Sequence, residues 1–143
     1  MKIVINNRHG GFGLSREAVV RYAEIKGIPL FPEDDTKYKS LGIVHYWVVP
    51  KEQRIEDKEG ADFYALSMQQ RADYNKAYSE QQLNERDIER NDPVLVQVVK
   101  ELGSKANGIF SNLKVVEIPD DVEWTIDEYD GLEWIAEKHR TWN

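Results

Sequence analysis

Asp92-Pro93-Val94-Leu95-Val96-Gln97-Val98-Val99-Lys100-Glu101-Leu102-Gly103 carries its own start signal, its own stop signal and an apolar stripe between them. Asp is a favoured N-cap, Pro suits the first helical position because its missing N–H would have no intrahelical partner, and Gly ends the element. Leu95, Val98, Val99 and Leu102 recur at steps of three and four residues, so one face of this helix must be covered by a sheet. The segment that follows supplies strands for that purpose. Residues 113–118 read as a strand, Pro119-Asp120-Asp121 turns the chain, and residues 122–126 form the next strand. Asp130-Gly131 is a tight turn from which residues 132–137 return antiparallel, with Trp124 and Trp134 expected as cross-strand neighbours.

The same grammar runs upstream. Residues 2–6 form a short strand, apolar on both faces and therefore central. Arg8-His9-Gly10-Gly11-Phe12-Gly13-Leu14 is a glycine-rich turn, and Ser15 caps a helix holding Ala18, Val19, Tyr22, Ala23 and Ile25 that Gly27 stops. Residues 28–40, with Pro29 and Pro32, read as a loop. Residues 43–49 are β-branched and aromatic, and Pro50 closes that strand. From 51 to 91 the chain turns polar, with a helix over about 61–79 whose apolar face is ragged, which reads as a helical insertion, an oligomer contact or a partly mobile arm. The expectation is one α+β domain over 1–143, with an antiparallel or mixed sheet of four to five strands, two packed helices and a polar helical insertion at about 51–91.

Composition narrows the function classes. The chain has 143 residues, enough for a real core, and no cysteine, so disulfides, thiolate metal sites and thiol nucleophiles are excluded. No stretch approaches the ~20 apolar residues of a membrane span, and the first residues lack the apolar run of a signal peptide, which points to an intracellular protein. A net charge of −7 argues against duplex nucleic acid as a partner, since phosphate neutralisation needs a basic surface. His9, His45 and His139 lack metal-ligand spacing, so neither a metal nor a cofactor is expected.

Three blocks carry a resemblance: Met1-Lys2-Ile3-Val4-Ile5-Asn6 followed by Gly10-Gly11-Phe12-Gly13-Leu14-Ser15; Asn91 to Val96 through Gly103 and Asn107-Gly108; and Val116 to Trp124, Tyr129-Asp130-Gly131 and His139-Arg140-Thr141-Trp142. They resemble a family of small uncharacterised bacteriophage-encoded proteins and leave roughly residues 50–88 outside the likeness. The resemblance implies expression in the cytoplasm of a bacterial host and carries over no catalytic residues. By analogy with anti-defence sponges, it suggests an accessory protein that sequesters a small anionic, nucleotide-like immune signal.

The candidate ligand-binding residues sit at the two chain ends: Arg8, His9, Gly10, Gly11, Phe12 and Gly13 in the first turn, His139, Arg140 and Trp142 in the tail. Glycine-rich backbone at a helix N-terminus favours an anion, Arg forks onto phosphate and Trp stacks on a base. If the two ends fold side by side they form one cationic, aromatic cleft in a binding protein rather than an enzyme, with a homo-oligomer open. Each feature also has a plainer reading. The Walker pattern is absent and Arg16 stands where a third dinucleotide-motif glycine would fall, so the loop also reads as a structural turn. Trp142 also reads as a core plug, His45 as a hydrogen-bonded structural histidine, the Asp residues of the meander as turn formers, and Trp47, Trp124 and Trp134 as core. The alternative function is an acidic protein-interaction module that binds a host protein through residues 51–91.

Overall fold

The structure, a computed structural model, describes residues 1–139 and Trp142. In chain order its elements are β1 (Lys2–Asn6), α1 (Arg16–Lys26), β2 (Phe31–Asp34), β3 (Val44–Trp47), α2 (Gly60–Tyr64), α3 (Met68–Glu80), α4 (Pro93–Leu102), β4 (Leu113–Glu117), β5 (Trp124–Tyr129) and β6 (Leu132–Glu137), with short 3-10 turns between. The class is α+β. The chain divides into two compact units, Met1–Gly27 with Glu85–Asn143, and Ile28–Asn84.

In the first unit β1 pairs antiparallel with β4, from Lys2 opposite Glu117 to Asn6 opposite Leu113. Ile3, Val4 and Ile5 of β1 are buried, β1 packs on α4 with its buried Leu95, Val96, Val98 and Val99, and α4 packs in turn on α1, where Ala18, Val19, Tyr22 and Ala23 are buried. Each such Val, Ile or Leu contributes roughly 1.5–3 kcal/mol when removed from water. Both helices start as their sequences demand. Ser15 accepts from the Ala18 N–H, Asp92 accepts from the Val94 N–H, and Gly27 closes α1 at φ 71°, a left-handed conformation that suits glycine. Asp92 also ties the helices together, accepting from the Tyr22 hydroxyl at 2.7 Å and pairing with Lys26 at 3.1 Å. Burial alone would raise the Asp92 carboxyl, but the Tyr22, Val94 and Lys26 donors bring it below the ordinary carboxylate range.

The strands do not form one sheet of four to five. They form three two-stranded antiparallel ladders, β1–β4, β2–β3 and β5–β6. The second edge of β1 shows why. Its outward N–H groups, on Val4 and Asn6, donate to the Arg90 carbonyl at 2.8 Å and to the Glu133 carboxylate at 2.7 Å. The Arg90 guanidinium donates in turn to the Val4 carbonyl at 3.2 Å and to both Glu133 oxygens at 2.7 and 2.9 Å. An ion pair thus occupies the place of a third strand, and β6 lies alongside β1 without laddering to it.

In the second unit, residues 28–40 are not a plain loop, because β2 runs antiparallel to β3 with Pro32 opposite Tyr46. Asp35 N–H donates to Ile43 O, which by alternation turns the Pro32 nitrogen away from β3, so the missing donor costs no ladder bond. The expected helix over 61–79 is two, α2 and α3, separated at Ser67. That residue caps α3 through a full capping box with Gln70. His45 is hydrogen-bonded as expected, its Nε2 lying 2.8 Å from Asp35 Oδ2; this bond first, then the Tyr38 and Lys37 N–H groups, holds the Asp35 carboxyl below its ordinary value.

Candidate functional site

The glycine loop and the β5–β6 turn are built into one another. Asp130 at φ 48° and Gly131 at φ 84° form a two-residue hairpin turn whose twist suits antiparallel strands. The Gly10 N–H donates to Asp130 O at 3.0 Å, and a Cβ on Gly131 would stand 2.1 Å from Gly11 N. A Cβ on Gly10 would meet Phe110 at 2.9 Å, and one on Gly108 would meet the Gly13 backbone at 3.0 Å. The Gly13 carbonyl accepts from the Gly108 N–H and from the Ser111 hydroxyl at 2.6 Å. Gly10, Gly108 and Gly131 therefore serve close packing among the loop, the hairpin turn and residues 107–111, whereas a Cβ on Gly11 or Gly13 would meet open space; at Gly10 this is the structural-turn reading of the motif.

Asn6 holds the centre of this assembly and is fully buried. Its Nδ2 donates to the Arg8 carbonyl at 2.6 Å and the Gly131 carbonyl at 2.7 Å, and its Oδ1 accepts from the Asn112 N–H at 2.8 Å. Phe12 lies under the Arg90 guanidinium, with Cζ 3.6 Å from the ring centroid, so that ring face is occupied. Leu14 N–H donates to Glu85 at 3.0 Å; burial raises the Glu85 carboxyl, and this donor and Arg86 only partly offset it. Asn6, Arg90 and Glu133, which order this end of the fold, were not among the expected site residues. The run Arg90-Asn91-Asp92 before a strong helix start offered no sign that the Arg side chain would replace a strand.

The expected cleft between the chain ends is not formed by the described residues. Arg8 and His9 are exposed, and His9 stands beside acid, its Nδ1 3.9 Å from Asp130 Oδ2 and its ring edge-on to Tyr129. The tail leaves from the opposite end of the hairpin. Leu132–Glu137 runs away from the turn at about 3.3 Å per residue, so Glu137 lies roughly 20 Å from Gly131. The Lys138 N–H still ladders onto Glu123 O, and His139 follows it. Trp142 is 83% exposed rather than a core plug, and Arg140 lies outside the described residues.

The turn also sets the register that decides which side chains face outward. With Tyr129 opposite Leu132, Trp134 stands opposite Asp127 and Trp124 opposite Glu137, so the two tryptophans are not neighbours. Alternation places Thr125, Asp127, Tyr129, Leu132, Trp134 and Ala136 on one face and Glu133 on the other, toward β1. Trp134 is 45% exposed and Tyr129 is 71% exposed, which removes Trp134 from the core. Residues 117–137 contain nine Asp and Glu and no Lys or Arg. The outer face of the β5–β6 hairpin presents Tyr129 and Trp134 with Asp127 beside them, in a segment rich in carboxylates.

Comparison with protein-family models, curated proteins and solved structures gives no match in any of the three.

Proposed function

We propose that this chain is a protein-interaction module that uses the outer face of the β5–β6 hairpin to dock a basic surface of another protein. The observation that supports it is the exposed Trp134 and Tyr129 within a segment of nine carboxylates and no cationic side chain. Trp and Tyr are the side chains that most often anchor interfaces, and their faces attract Lys and Arg. Glu133 is paired with Arg90 and Asp120 with the N-terminal ammonium, and the acidic excess that remains around the rings steers a basic partner in and rejects an acidic one. Formal charge favours the hairpin over the helical segment: residues 51–91 carry ten Asp and Glu against seven Lys and Arg, a net −3, whereas residues 117–137 carry nine Asp and Glu and no Lys or Arg, with Glu133 paired to Arg90 and Asp120 to the N-terminal ammonium. The likeness to phage-encoded proteins makes a bacterial host protein the partner class we propose.

An anion-capturing role would need donors free to meet a phosphate. The glycine loop has its Gly10 N–H engaged with the hairpin turn and lies beside Asp130, whose charge opposes an anion, which gives that role less support. The test is binding of purified chain to an immobilised arginine-rich polypeptide. Wild type should bind and be released by salt, and Trp134→Ala should weaken binding about tenfold or more with the circular dichroism spectrum unchanged. Unaltered retention of Trp134→Ala, or insensitivity to salt, would contradict the proposal.

A further inference from the structure

An aromatic row runs through the Ile28–Asn84 unit. Ring centroids of Tyr64 and Phe63 are 5.6 Å apart, Phe63 and Tyr74 5.9 Å, Tyr74 and Tyr78 5.9 Å, and Tyr78 and Trp47 5.4 Å. Tyr74 and Tyr78 share a face of α3 because they are four residues apart, and Phe63 reaches them from α2. The protein's own guanidinium groups sit on both ends of the row. Arg71 Cζ lies 5.3 Å from the Tyr64 centroid and 5.7 Å from that of Phe63, and Arg54 Cζ lies 4.5 Å from that of Trp47. Tyr74 and Tyr78 in the middle of the row, together with Phe63 on which Arg71 already lies, line an open pocket of about 290 Å³ with Asp57, Lys58 and Asn75. That is at the small end of ordinary ligand pockets.

We infer that this cavity is a binding site for a methylated ammonium group, a small organic cation of the choline or trimethyl-lysine class. Aromatic faces attract such a cation, and Asp57 supplies its counter-charge. The Asp57 carboxylate is fixed at the rim, where its Oδ1 accepts from the Tyr74 hydroxyl at 3.3 Å, while that hydroxyl accepts the Lys58 N–H at 2.9 Å. Burial first, and then the Asp57 charge, raise the Tyr74 phenol above its ordinary value despite the Lys58 N–H, so the ring stays neutral at physiological pH. A neutral guest would leave Asp57 unpaired, and an anionic guest would be repelled by it. A quaternary ammonium needs only π faces and a nearby negative charge, which the aromatic rings and Asp57 supply. The Lys58 ammonium opposes any guest cation and limits the affinity.

The experiment is titration of the full chain with choline, read from aromatic proton and carbon resonances. Saturable shifts at Tyr74, Tyr78 and Phe63 are expected, with a Kd of about 1 mM. The neutral isostere 3,3-dimethylbutan-1-ol should bind at least about tenfold more weakly. Tyr78→Leu should weaken choline binding about tenfold, Asp57→Asn about fivefold, and Lys58→Gln should strengthen it severalfold, about threefold. Asp57 is exposed, so its substitution keeps the test valid if Tyr78→Leu fails to fold. Equal binding of the alcohol, no saturation by about 100 mM choline, or an unchanged Kd in Asp57→Asn would each overturn the assignment. This site is independent of the hairpin surface, and either can fail alone.

Discussion

Arg90 concentrates four interactions on one guanidinium and its own carbonyl: a fork onto Glu133, a bond to the Val4 carbonyl, the Phe12 ring beneath it, and the Val4 N–H on its backbone oxygen. Side-chain exposure is 19% for Arg90 and 9% for Glu133, so removing one partner strands the other charge in a poorly solvated place. Arg90→Met should therefore lower unfolding free energy in urea by about 3–5 kcal/mol. The double variant with Glu133→Gln should be more stable than that single, because an amide still accepts the Asn6 N–H and carries no unpaired charge. A double variant as unstable as the sum of the two singles would refute this account of the pair. Glycines separate into two kinds at the same scale. Gly27→Ala meets open space and should cost only the left-handed backbone penalty, about 1–2 kcal/mol, whereas Gly131→Ala adds a collision with Gly11 and should cost clearly more. Equal melting temperatures for these two variants would contradict the packed-loop reading.

At the scale of elements, α3 has no fully buried side chain, so its start depends heavily on the Ser67–Gln70 capping box. Ser67→Ala should cost about 1 kcal/mol and raise amide exchange within α3 while leaving α4 protected; uniform loss of protection in both helices would contradict this. The capping box was present in the sequence as Ser67-Met68-Gln69-Gln70, yet the ragged apolar pattern around it suggested one continuous helix. The helices α1 and α4 were legible because cap, stripe and stop agree in each. The three separate ladders were not, because sequence patterns reveal strands but not that an Arg–Glu pair will take up the edge of β1. The outward face of Trp134 was legible in principle: a two-residue turn at Asp130-Gly131 pairs residues 129 and 132, and counting outward places Trp134 opposite Asp127. The glycine loop could not be resolved from sequence, since phosphate cradles and close backbone crossings call for the same residue.

Across the whole molecule, acidic charge is unevenly distributed, with residues 117–137 more negative than the chain's net −7. No described helix is long and apolar enough to cross a membrane, and among the described residues no group of three or more His, Asp or Glu is placed to hold a metal. What stands out at this scale is an exposed aromatic hairpin face within an acidic segment of which Glu133 and Asp120 are paired, with Arg90 and the N-terminal ammonium, and the proposed role follows from the remaining acidic excess. The most direct measurement places a photo-crosslinking amino acid at position 134, with a control at position 68, where Met68 is 86% exposed on α3. Irradiation in bacterial extract should give an adduct with a basic protein from position 134 only. The same protein, purified, should bind the wild-type chain in a salt-sensitive manner and bind Trp134→Ala about tenfold less tightly. Equal cross-linking from both positions, or a purified partner indifferent to Trp134→Ala and to salt, would contradict it.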